Sequence, residues 1–144
     1  MFPLTFACAL LVGFFPPAGE GPLQVEITNV RNTKGVIRVG LFQRAEGFPD
    51  QGQVYWGKSY APGPGKMIVE IPGLPYGDYA LAIFHDLNAN GKLDRNMLGI
   101  PTEPYGFSGG AKAKWSAPDF EDARFSFTSN GLQQRIALFL WEEW

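Results

Sequence analysis

Apolar and polar positions alternate with a period of two through much of this chain. Leu23–Val30 sets Leu23, Val25 and Ile27 on one face and Gln24, Glu26 and Thr28 on the other, the pattern of a half-buried strand. Gly35–Phe42 follows a turn at Asn32–Gly35 and is apolar and β-branched at most positions, which predicts a more central strand. Lys66–Leu74 and Tyr79–His85 continue the series around a turn at Pro75–Asp78. Ala123–Ser129 and Gln134–Trp141 close it, and Asn130–Gly131 between them carries the strongest short hairpin signal. Gln53–Tyr60 is a further candidate strand. No segment keeps a helical period for long, although a short helical turn fits near Pro118–Asp122. The expectation is an all-β fold: a single antiparallel β-sandwich of about six to seven strands, transthyretin-like or immunoglobulin-like, with one long ordered loop inserted at about residues 86–122. Loops of that length are usually functional or held by a metal.

Composition fits a folded core. The 144 residues are 45% apolar and 18% charged, and 18 Gly and 12 Pro cut the chain into short elements. A net charge of −2 with scattered Lys and Arg offers no basic stripe for nucleic acid and no polybasic membrane anchor. The apolar run Phe2–Phe15 is too short to span a bilayer. With Pro16, Pro17, Ala18 and Gly19 behind it, it reads as a signal peptide over residues 1–19, leaving residues 20–144 as the sandwich domain. The expected location is outside the cytoplasm, periplasmic or extracellular, with no membrane span once the leader is removed. The one cysteine, Cys8, lies in that leader, so the remainder has neither disulfide nor thiolate chemistry.

Candidate chemistry concentrates after the fifth strand. Asp86, Asn88, Asn90, Gly91, Lys92 and Asp94 fill the positions one, three, five, six, seven and nine of a calcium loop, Lys92 through its carbonyl. Odd positions would point at one centre while Leu87, Ala89 and Leu93 point away. Position twelve is Met97 instead of glutamate and no helices flank the loop, so it is not an EF-hand. Glu103 or a backbone carbonyl would complete the set, and with few formal charges the affinity would be on the order of 10⁻⁴–10⁻³ M. A solvated turn and a magnesium loop are the alternatives.

The block His85–Ser108, HDLNANGKLDRNMLGIPTEPYGFS, together with the preceding PYGDYALAIF, resembles a family of small exported bacterial proteins catalogued as a domain of unknown function. That resemblance implies export and a β-rich fold and brings no reaction, substrate or catalytic residue. The stretch Ile71–Phe84 is also similar, over a short span, to the turn of transthyretin-like and carboxypeptidase-regulatory sandwiches.

Catalytic readings are weak. A single histidine, His85, excludes a multi-histidine zinc site, and it would face away from its neighbour Asp86 on an extended strand; hydrogen bonding within its own loop is the expected role. Ser108 lies in no nucleophile elbow, and Asp94 with Glu103 as a hydrolase pair is the lesser use of two loop carboxylates. Tyr105, Phe107 and Trp115 could stack on a sugar or dock a peptide; alternatively the aromatics plug the open end of the sandwich. The leading expectation is a non-catalytic binding or structural module of the bacterial cell envelope, its loop ordered by calcium, with an unidentified protein or glycan as partner. A carbohydrate- or peptide-binding protein using the loop aromatics is the second reading.

Overall fold

Strands form where β-branched and aliphatic side chains recur at every second position and can share one face. The computed structural model describes residues 19–112, 116–129 and 131–144. The expected leader up to Ala18, Cys8, Trp115 and Asn130 lie outside the described residues. In chain order the elements are β1 (Glu20–Val30), β2 (Val36–Phe42), β3 (Trp56–Tyr60), β4 (Gly65–Pro75), β5 (Gly77–Asp86), β6 (Tyr105–Phe107), α1 (Phe120–Ala123), β7 (Phe125–Phe127) and β8 (Gly131–Ala137). They build two sheets: three strands in the order β4-β1-β8, and five strands in the order β3-β2-β5-β6, with β7 sharing β5's outer edge. The all-β sandwich expected from the pattern is the fold.

The core lies between the sheets. Leu23, Val25 and Ile27 of β1 meet Ile37, Val39 and Leu41 of β2 and Leu81 and Ile83 of β5 there, all at 1% exposure or less. Strand β5 is buried on both faces. Its other face, with Ala80 and Ala82, is covered by Phe42, Phe48 and Phe120, so α1 serves as a lid over this second apolar layer.

Three features depart from the sequence reading. Strands β7 and β8 do not form the expected hairpin: β7 pairs with β5 and β8 with β1, in different sheets. The pairing of β8 with β1 is parallel within an otherwise antiparallel framework. The insertion also contains a strand, β6, against the outer edge of β5. Each of these contacts is distant in sequence, where local turn chemistry has no say. At β6 the two sheets nearly touch. A Cβ on Gly106 would lie 2.5 Å from the Ala137 carbonyl oxygen, and Tyr105 and Phe139 exchange backbone hydrogen bonds of 3.0 Å.

Candidate functional site

The loop grows out of the end of β5, where the strand period sets neighbours on opposite faces. His85 faces the core and Asp86 the outer layer; both side chains are inaccessible to solvent. His85 donates its Nε2–H to the Lys34 carbonyl at 2.6 Å. Its bond therefore goes to the β1–β2 turn, not to its own loop as expected, because that turn packs directly on the end of β5. Gly35 makes this contact possible: at φ +63° a Cβ there would sit 1.9 Å from the Asp86 carbonyl oxygen.

Asp86 organises the loop. Its Oδ2 accepts from Arg38 Nε at 2.6 Å and from the Gly91 amide at 2.8 Å, and its Oδ1 accepts from the Asn90 amide at 3.1 Å. Burial pushes this carboxyl up, but the Arg38 bond and the two amides outweigh it and hold the group below its ordinary value. Arg38 also donates to Ser59 at 3.0 Å, which ties the loop to β3 through β2.

The remaining polar side chains of the loop hold one another. Asn88 Nδ2 and Asn90 Nδ2 each donate to one oxygen of Asp94 at 2.7 Å. Positions three, five and nine of the spacing therefore do meet. Lys92 donates its amide to Asn90 Oδ1 at 3.0 Å. Glu103, 3% exposed, clamps both ends of the loop by accepting from the Leu87 amide at 2.9 Å and the Asp94 amide at 3.0 Å. Among the described residues no three His, Cys, Asp or Glu side chains gather at one point. A cation here would rely on amide and backbone oxygens beside Asp86 and Asp94. Rotating the Asn88 and Asn90 amides by half a turn would present their oxygens where the nitrogens now face Asp94.

Beside the loop lies a cleft of about 710 Å³. Its floor is the outer face of β5 and β6, where Ala82, Phe84, Tyr105 and Phe107 lie side by side. One wall is the loop segment 91–101; the others come from residues 49–52, Ser116, Ala117 and Trp141. Tyr105 and Phe107, singled out from sequence, are thus brought together on the floor of an outer cleft. Tyr105 is only 4% exposed and stacks on Trp144, ring centroids 5.5 Å apart. The lining that sequence reasoning missed is Phe84 and the segment around Gln51, which reach the cleft through contacts distant in sequence.

At the cleft mouth the loop turns back in a hydrogen-bonded tip. Asn96 caps it by accepting from the Leu98 and Ile100 amides at 2.9 and 3.1 Å, and Arg95 donates to the Gly99 carbonyl at 2.9 Å. Met97 and Leu98 stand fully out at 103% and 83% exposure. Ser108 does the opposite. Wholly buried, it accepts from the Leu81 amide at 2.7 Å and donates to the Ala123 carbonyl at 2.5 Å, a staple between β5 and α1 with no access for a substrate.

These features define a class: a two-sheet β domain in which a carboxylate-clamped Asp/Asn/Gly loop walls an aromatic cleft. The chain belongs to the bacterial family DUF2141, described as an uncharacterized protein conserved in bacteria, whose model matches residues 25–135, from β1 into β8. No curated protein and no solved structure matches it.

Proposed function

We propose that the protein is a non-catalytic binding module of the bacterial cell envelope whose ligand seats in the cleft on the outer face of the five-stranded sheet. The observation that carries this reading is that the loop is built as the cleft's wall: the residues fixed by Asp86 and Glu103 continue directly into the segment 91–101 that lines the cavity. Cavities of several hundred Å³ with an aromatic floor and a few polar groups suit small ligands or the side chains of a peptide. The apolar opening Phe2–Phe15 supports export, and no helix of the described residues is long and apolar enough to cross a membrane. Carboxylates here serve as acceptors for backbone amides, which speaks for a scaffold over a hydrolase.

Calcium is proposed as the agent that stiffens this wall, held by Asp86, Asn88, Asn90, the Lys92 carbonyl and Asp94, with Glu103 close behind. A cation bound only by the folded protein stabilises it by mass action, about 1–3 kcal/mol at ligand excess. Thermal unfolding in millimolar calcium against chelator measures this. The expected outcome is a higher midpoint with calcium and no such rise in Asp86→Ala. Identical midpoints in the unaltered protein would remove calcium and leave the cleft. Screening glycans, short peptides and amphiphiles by calorimetry tests the cleft itself; binding of any of these that Phe107→Ala weakens is the expected result.

A further inference from the structure

We infer that the cleft takes an aliphatic anion: a hydrocarbon chain ending in a carboxylate or phosphate. This rests on the cleft being the binding site and names the chemistry of its ligand. Two observations meet there. The first is the apolar surface, which does not stop at the cavity. Phe84 and Phe107 form the floor, Leu93 and Ile100 belong to the wall, and Leu98 lines the mouth while remaining 83% exposed. An extended apolar molecule would cover this run from floor to lip.

The second is charge. Lys92 and Arg95 both line the cleft on the loop side, and both side chains are exposed. The ion pairs among the described residues belong to Arg31, Arg38, Lys66, Arg124 and Arg135; Lys92 and Arg95 enter none. The nearest loop carboxylate in sequence, Asp94, is engaged by Asn88 and Asn90. Among the described residues one acid lines the cavity, Asp50, on a different segment, where it accepts from the Gly52 amide at 2.8 Å. Two cations outside any ion pair, against one carboxylate, leave the described lining of this apolar cavity net positive, which complements an anionic head on an apolar tail. A neutral sugar would leave the cations unused, and a cationic peptide would be repelled by them.

Calorimetric titration of the full chain with decanoate, decyl phosphate and uncharged decyl glucoside, all below their micellar concentrations, tests this. The anions should bind about tenfold more tightly than the glucoside, a preference that added salt erodes. Lys92→Glu with Arg95→Gln should abolish the preference while circular dichroism stays unchanged, and Lys34→Glu, away from the cleft, should leave it intact. Equal affinity for the three amphiphiles would overturn the anionic head and keep the cleft as a site. Binding of glycans or peptides with no amphiphile bound would overturn the inference alone. No binding of any of these would overturn the cleft reading as well. Comparing decanoate with decyl phosphate separates a carboxylate from a phosphate source.

Discussion

Asp86 is ionised in a place where burial opposes charge. Three donors, one of them the Arg38 guanidinium, keep it so. The sign of the pH effect follows. The folded state favours the carboxylate, so its stabilisation is complete above the ordinary aspartate range, roughly pH 4, and drains away as acid titrates the group below that. Chemical denaturation of the intact protein should therefore show stability falling from about pH 4 downward. Asp86→Asn should be less stable at pH 7 and show a shallower acid limb. Exposed pairs such as Arg124 with Asp78 contribute little to that limb, being screened by water. That Asp86 opens an ordered Asp/Asn/Gly loop was legible in the sequence because the spacing is local; its bonds here run to the Asn90 and Gly91 amides and to Arg38. Arg38 was not legible, since it comes from a strand 48 positions away and no short-range pattern announces it.

Among the elements, the loop has its backbone amides held by two buried carboxylates, Asp86 at its start and Glu103 beyond its tip. Glu103 holds the Leu87 and Asp94 amides, so Glu103→Ala leaves two donors seeking water and releases the loop's closure. Hydrogen exchange should show faster exchange at those two amides and through Leu87–Asp94, with Leu81 and Ile83 of β5 still protected. Uniform protection would mean the loop holds itself. The long strands were readable by two signals: β1 by its alternation, and β2 and β5, which run between other strands, by near-continuous apolar residues. Strand β6 was hidden. It has three residues, follows Pro104, and is held by the edge of β5 on one side and by Phe139 on the other. The end of the chain misled for a related reason: Asn-Gly favours a local turn, but β8 finds better burial alongside β1, with Ile136 at 2% exposure.

At the scale of the whole molecule, the two sheets are held together along one side by the meeting of β6 with the segment after β8. Gly106 is what lets the backbones approach there. Gly106→Ala should force them apart and cost about 1–3 kcal/mol, as overpacking does. Thermal unfolding would record it as a lower midpoint, and the accompanying shift of Trp141 and Trp144 should alter tryptophan emission. Cleft and seam are thus one construction: the strand that floors the cavity, β6, also closes the sandwich. The parallel union of β1 with β8 has a consequence of another kind. Glu26 and Arg135, which bond across it at 2.7 Å, are 109 positions apart. Strand β1 has no partner on that flank until β8 has been made. While the polypeptide is growing, that edge of β1 stays bare even after β4 has covered the other, and the three-stranded sheet is completed only when β8 emerges.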